Sequence, residues 1–405
     1  MKFFIGTSDI SSQIGSMAKG FHELGHKTLT ASVQVRQFQQ SNLDFDFGSM
    51  KHRYFKWLLL PGLRRKMYEK YGPPRERILR KSIKECDIFI FVSMSFRKDL
   101  SDLKMIKEAG KKIIFIFTGT DVRWLYAMQQ DFTKHGILPA PYDKYNTSEV
   151  SLRQRLGTMR MAEKYADFII SMPNQSQLGL RPYFPYRQFV DLEIFEHQPK
   201  QRKRPLIVHA ASNSSVKGSK IVIQVLEKLK AENLKFDYKI LSGIPFDEIK
   251  KEYANCDILI GQMYLPSGGF QERELLACGK VVMTSIQMHY PDYQIDDSPI
   301  IDVNTATLEK KLREWIPNHE GRQQLADRAR PFTEKHHSPN AFCSNILNLI
   351  SGRAGPAPIK PEFFREDFTP ENSSETKVYN EYNRLVSDSD WYQDVKKGER
   401  SGLIF

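Results

Sequence analysis

Two short stretches carry residue types suited to chemistry on an anion. The first, HAASNSSVKGSK, runs from His209 to Lys220 between the apolar runs PLIV and IVIQVLEKL. Small residues let a ligand approach the backbone. Lys217 and Gly218 stand where a strand–loop–helix pattern places a helix N-terminus. Such an end has free N–H donors and a partial positive charge, and an added ammonium suits it to phosphate. The loop matches neither G-x-x-x-x-G-K-S/T nor G-x-G-x-x-G. A solvated lysine at an ordinary helix start is the alternative. The second stretch, GQMYLPSGGFQERELLACGK, begins at Gly261. Ser267, Gly268 and Gly269 form a loop whose backbone can come close to a ligand. Glu274 follows in the first turns of the next helix, where a carboxylate can accept two hydroxyls of a ribose. A glutamate placed there by the helix dipole is the alternative.

Both stretches need a scaffold of alternating strands and helices, and the chain supplies one. KFFIGT, TLTASV, CDIFIFVSM and KKIIFIFTG read as strands. IGSMAKGFHELGHK reads as a helix, with Met17, Phe21 and Leu24 on one face and Gly25 as its stop. DLKMIKEAG reads as another, and RQRLGTMRMAEKYADFIISM as helix then strand. Near-continuous apolar strands separated by helices predict a parallel sheet covered on both faces. KQRKRP, residues 200–205, lacks periodicity and reads as an interdomain linker. The pattern then restarts, with strands at PLIVHAA, DYKILSG, DILIGQM, KVVMTS and SPIIDV and helices between and after them. The fold class expected is α/β, with two Rossmann-like doubly wound domains. Residues 1–198 form the first domain, 199–350 the second, and 351–405 a linker and helical extension. In that extension Val378, Tyr382 and Leu385 fall at helical spacing. Ligands in such sheets bind beyond the carboxyl ends of the strands, so two sheets in one chain face a shared central cleft.

Composition narrows the class. The chain has 405 residues, 40% hydrophobic and 27% charged, an ordinary globular balance. No apolar run approaches the roughly 18–20 residues of a membrane helix. The start, MKFFIGTSDI, is too short in apolar content for a signal peptide and reads as a strand. Cys86, Cys256, Cys278 and Cys343 are widely separated, with no C-x-x-C pair and no metal-ligand spacing. They read as reduced core thiols of a cytoplasmic protein.

Taken together, the two loops resemble the donor-binding half of the retaining glycosyltransferases of GT-B family 4, over about Arg204 to Ile350. HAASNSSVKG matches the family's strand, HAPSNR and KG at His209, Ser212, Asn213, Lys217 and Gly218. DILIGQ and RELLACGKVVMTS match its following strand and its lEAmacGkpVv segment, and EKHHSPNAFCSNIL its close. IFTGTDVRW, YADFIISMP and FVDLEIF are similar to first-domain segments. The resemblance implies a GT-B fold and a nucleotide-diphosphate sugar as donor. It implies Lys217 on the diphosphate, Glu274 on the ribose, and the N–H groups of Ser267, Gly268, Gly269 and Phe270 toward the sugar and β-phosphate. It implies no cofactor and no metal. Three positions depart from the family: Ser214 replaces a second basic residue, Pro266 a glutamate and Thr118 a histidine. Asp121 and Arg123 remain at the end of a first-domain strand, so Lys217 and Asp121 are the expected catalytic pair. A turn-forming aspartate with a surface arginine is the alternative. The loop GTSDISSQIG faces the donor in such enzymes, making Ser8, Asp9 and Ser11 candidate acceptor contacts. An Asx-type turn at Asp9 explains them too.

The formal charge is +12, and Lys51 to Lys84 holds twelve Lys and Arg against two Glu. Trp57 and Leu58 to Leu60 lie among these cations. The mixture suits an anionic membrane surface, a nucleic acid, or a solvated face over core aromatics. On a glycosyltransferase scaffold the expectation is an anionic membrane or acceptor, with no nucleic acid. The expected activity is therefore transfer of a sugar to a glycan or lipid-linked acceptor, with retention, in polysaccharide or glycoconjugate synthesis. The protein is expected to be cytoplasmic or peripheral at the inner membrane face. Two rivals stand beside it. One is a catalytically degenerate GT-B scaffold that binds glycan or nucleotide. The other is a sugar-nucleotide epimerase, for which the chain shows no acid/base set of carboxylates and histidines.

Overall fold

Alternation along the first strand sets the architecture. Phe4 joins Phe89, Phe91, Ile113 and Phe115 on one face of a sheet, while Phe3 and Ile5 join Ile88, Ile90, Ile114 and Ile116 on the other. A strand buried on both faces belongs inside a parallel sheet covered by helices. The structure, a computed structural model, describes residues 1–34, 43–46, 74–124, 149–211, 214–265, 268–286, 297–353, 355–359 and 361.

The first sheet is built from β1 (Lys2–Ser8), α1 (Gln13–Glu23), β2 (Lys27–Gln34), β3 (Phe45–Asp46), α2 (Pro74–Glu85), β4 (Ile88–Val92), α3 (Ser101–Glu108), β5 (Lys112–Ile116), α4 (Glu149–Tyr165), β6 (Phe168–Ser171) and β7 (Phe184–Pro185). Its strand order is β3-β2-β1-β4-β5-β6-β7, and every pairing is parallel. The order reverses between β1 and β4.

The second sheet uses β8 (Leu206–Ala210), a single turn α5 (Ser214–Lys217), α6 (Ser219–Ala231), β9 (Asp237–Leu241), α7 (Phe246–Asn255), β10 (Ile258–Ile260), α8 (Phe270–Ala277), β11 (Val281–Thr284) and β12 (Ile300–Asp302). Three helices follow: α9 (Leu308–Trp315), α10 (His319–His337) and α11 (Pro339–Ser351). The order is β12-β11-β10-β8-β9, again parallel, and it reverses between β8 and β10. Two doubly wound parallel sheets, the expected α/β class, are therefore present.

The chain crosses between the sheets twice. Residues 200–205 lie against the second sheet: the Arg202 N–H donates to Asp257 at 2.8 Å, and Arg322, fully buried, donates to the Arg202 carbonyl at 2.6 Å. After α10, Ser338 caps α11 by accepting from the Ala341 N–H at 3.2 Å. Helix α11 then packs on α1 of the first sheet. Phe342 stacks on Phe189 with ring centroids 4.5 Å apart, and Phe342, Cys343 and Ile346 share a core cluster with Phe3 and Phe21. Contact is close enough to need Gly20, where a Cβ would lie 2.9 Å from the Pro339 carbonyl. Further on, Ile359 forms an antiparallel bridge with Tyr183, at 3.0 and 2.7 Å. The extension thus begins against the first sheet, and its helical spacing at Val378, Tyr382 and Leu385 lies outside the described residues. So does the basic stretch up to Pro73; α2 carries its remainder.

Candidate functional site

Open parallel sheets hold ligands at the point where strand order reverses. In the second sheet that point lies between the ends of β8 and β10, and both sequence stretches converge there. His209, near the end of β8, is fully buried. Its Nδ1 lies 2.8 Å from the Ile260 carbonyl and its Nε2 2.8 Å from the Ser219 hydroxyl. A carbonyl only accepts, so Nδ1 carries the proton and Nε2 accepts from Ser219. Burial holds the imidazole below its usual pKa, which keeps it neutral. His209 therefore ties β8, β10 and α6 together and has no surface for a ligand.

Lys217 closes the turn α5, and the main helix starts at Ser219, after Gly218. Gly218 makes the joint: it is left-handed at φ 75°, and a Cβ there would meet the Met263 Cβ at 2.9 Å. The turn sends the half-buried Lys217 ammonium back across the end of the sheet. It donates to the Ala210 carbonyl at 3.0 Å and to Gln271 Oε1 in the first turn of α8. The expected lysine is thus at the reversal point, joined to both loops rather than solvated.

Two carboxylates of α8 lie near it. Glu272 is 1% exposed and accepts from the N–H groups of Gly269 at 2.6 Å and Gln262 at 3.0 Å and from the Thr284 hydroxyl at 3.2 Å. Burial opposes its charge, but the Lys217 ammonium and the N–H donors outweigh burial and hold the carboxyl below its usual range. Glu274, two residues on, behaves in the opposite way. Burial pushes it up to about 7; Lys217 works against the shift and the charge of Glu272 adds to it. A carboxyl poised there can accept hydroxyl donors once ionised.

The loop before α8 is less open than its glycines suggest. Gly268 is left-handed at φ 65°, and its N–H donates to the Ser285 carbonyl at 3.3 Å. The Gly269 N–H belongs to Glu272. Two of the four amides expected to face a donor are thus committed within the protein. The first amides of α8, from Phe270 on, leave the helix end without intrahelical acceptors. The Phe270 side chain packs against the first-sheet cluster of Phe3, Ile14 and Phe342, so α8 reaches across to the first domain. Ser212, Asn213 and Ser267, and with them Pro266, lie outside the described residues.

The first-sheet reversal, between β1 and β4, is built differently. The Thr7 hydroxyl lies 2.9 Å from the Met94 carbonyl and 3.0 Å from that of Ser95. Ser8 and Asp9 are buried, and Asp9 accepts from the Ile14 N–H at 3.1 Å, closing the loop onto α1. Ser11 is left-handed at φ 53°. Asp121 accepts from the N–H groups of Thr118 at 3.0 Å and Gly119 at 2.8 Å and from the Ser93 hydroxyl at 2.6 Å. Its carboxylate holds the turn after β5, the alternative left open by the sequence. Arg123 donates from Nε to Gln175 Oε1 at 3.1 Å. Glu272, Gln271, Thr284, Ser93 and Gln175 complete the two ends without having been singled out from sequence. Only Glu272 had a visible signal: it stands three residues after Gly269, at capping-box spacing. Among the described residues, no three His, Cys, Asp or Glu side chains group to hold a metal, and no helix is long and apolar enough to cross a membrane.

Neither a protein-family model nor a curated protein matches the chain. Solved structures do. TarM aligns at 10% identity and a TM-score of 0.57, over 86% of this chain and 98% of its own. An alpha-glucosyltransferase in complex with UDP-glucose and DNA aligns at 14% and 0.54, over 87% and 100%. HepE of Anabaena, in complex with UDP and glucose, aligns at 12% and 0.51, over 87% and 99%. Identities this low speak for architecture alone, and that architecture is the GT-B fold of glycosyltransferases.

Proposed function

We propose that the chain is a glycosyltransferase that takes a sugar from a nucleotide-diphosphate sugar. The observation that carries this reading is the Lys217 ammonium, held across the β8/β10 reversal beside Glu272 and Glu274. A donor diphosphate would displace Gln271 from the ammonium. Lys217 would then neutralise the charge that grows on the leaving diphosphate, a fixed cation acting where charge develops. Glu274 would accept the ribose hydroxyls from the other side. UDP is the first nucleotide to test, since HepE and the alpha-glucosyltransferase are each in complex with it or its glucose conjugate.

The finer reading is transfer with retention to a glycan or lipid-linked acceptor, in polysaccharide or glycoconjugate synthesis, with no metal required and no nucleic acid as acceptor. Family 4-like character rests on the sequence resemblance. Peripheral attachment to an anionic membrane through residues 51–84 belongs to the same reading; Arg75, Arg77, Arg80, Lys81 and Lys84 of α2 are its described part. In this reading Ser8, Asp9, Ser11, Asp121 and Arg123 would be the acceptor-side residues.

The test is titration with UDP, GDP, ADP and TDP, followed by assay of nucleotide release from matching donors and NMR of the product anomer. No binding to any of the four overturns the reading. Binding without turnover over a broad acceptor set, DNA included, favours the scaffold. That second reading has its own support: Asp121, the expected catalytic partner, is spent on a turn.

A further inference from the structure

Glu272 is too buried to touch a ligand in the cleft, yet its two oxygens reach three elements. Oε2 takes the Gly269 N–H at the start of α8. Oε1 takes the Gln262 N–H just after β10 and the hydroxyl of Thr284 at the end of β11. Thr284 closes the group by accepting from the same Gln262 N–H at 2.9 Å. The seat is shaped for the carboxylate, because a Cβ on Gly261 would lie 2.3 Å from Oε1. A serine or asparagine at the helix start would cap α8 equally well without burying a charge, which is costly unless paired and hydrogen-bonded. Lys217, with Arg273 next along α8, makes this charge tolerable.

We infer that Glu272 is the positioning residue of the site: it fixes the Gly268–Gly269 turn and the start of α8 against the ends of β10 and β11, and so sets where Lys217 and Glu274 meet a ligand. This rests on the nucleotide-sugar reading for its ligand, while the hold on the turn is measurable without one. Its charge also reaches Glu274, whose other charged or titratable neighbours are Lys217 of α5, Tyr253 of α7 and Cys278 at the end of α8.

The experiment uses the full chain, with hydrogen exchange of backbone amides and calorimetric UDP titration from about pH 5.5 to 8.5. Glu272→Gln keeps the shape and removes the charge. It is expected to speed exchange at Gln262 and Gly269 about tenfold or more, the worth of a charge-assisted hydrogen bond, while β4 and β5 amides stay as protected as before. UDP affinity should fall by a similar factor, and the pH midpoint of UDP binding should move down as a negative neighbour of Glu274 is lost. A merely structural glutamate would weaken binding without moving that midpoint. Gly261→Ala unseats the carboxylate without altering any charge, and should reproduce the loss of local protection even if Glu272→Gln fails to fold. Unchanged exchange at Gln262 and Gly269 in either folded variant, or an unmoved pH midpoint in Glu272→Gln, overturns the inference. If the wild type binds no UDP, the nucleotide reading falls and the exchange result alone decides the role of Glu272.

Discussion

The two sheets reverse order at equivalent places and furnish those places with opposite chemistry. At the β8/β10 reversal stand a buried neutral imidazole, an ammonium and two carboxylates, His209, Lys217, Glu272 and Glu274. At the β1/β4 reversal Thr7, Ser93 and Thr118 supply hydroxyls, Asp121 turns inward on backbone N–H groups, and the Arg123 guanidinium is held by Gln175. The first set can manage a group whose charge changes. The second can offer hydrogen bonds to neutral hydroxyls. One topology, used twice, is thus furnished differently: the end of the second sheet carries an ammonium beside two carboxylates, and the end of the first an aspartate and an arginine engaged by backbone and amide partners.

The sharpest way to break this comparison is to remove the ammonium. With a donor that the wild type turns over, Lys217→Ala should lower kcat on the order of 10²–10³-fold, the usual effect of deleting one preorganised stabilising group. UDP affinity should fall by roughly 1.5–3 kcal/mol in the same variant. An unchanged UDP dissociation constant would move the anion elsewhere and dissolve the division between the two ends.

Asp121 tests the other end, with a smaller effect on a different observable. Replacing it by alanine strands the N–H groups of Thr118 and Gly119 and the Ser93 hydroxyl. The expected loss is roughly 1–3 kcal/mol of unfolding free energy, read by urea denaturation, with UDP affinity within about twofold. Asp121→Ala that keeps its stability but loses turnover would restore Asp121 to the chemistry and make the two ends more alike than the hydrogen bonds suggest.

These outcomes also bear on what a sequence can reveal. The strands and helices were legible because burial on both faces writes long apolar runs, as in IFIFV and KIIFI, and because glycines such as Gly25 and Gly218 mark turns only they adopt readily. Lys217 was legible as a cation before a helix. The role of His209 was not: its partners are a carbonyl on β10 and a hydroxyl on α6, and neither adjacency appears in a linear chain. The sequence leaves Asp121 open to chemistry because the donors to its carboxylate are mostly backbone N–H groups, which have no letter. Helix α11 reads clearly as a helix, but only packing against Gly20 and Phe189 shows which sheet it serves. Glu272 stands at capping spacing from Gly269, but its contacts with Gln262 and Thr284 have no sequence signal.

Glu274 gives the smallest expected effect and the most diagnostic one. Its carboxyl is pushed up to about 7 by burial, so it is protonated in mildly acid solution and ionised above neutrality. Ribose hydroxyls donate to the ionised form, so UDP affinity should rise as pH increases through about 7, by several-fold. The β-phosphate of UDP titrates nearby, and Glu274→Gln removes the protein's share: the variant should keep only the nucleotide's own pH dependence. Stability must run the other way. A carboxyl raised in the folded state contributes stability that is complete below its unfolded pKa of about 4.5 and is lost as pH rises through about 7. Thermal denaturation of the wild type against Glu274→Gln across that window should therefore show the wild type losing ground with pH while its hold on UDP improves. The opposed slopes are what a binding carboxylate in the charged end requires. Parallel slopes, or none, would make Glu274 an ordinary helix residue and leave the contrast between the two ends resting on Lys217 and Glu272.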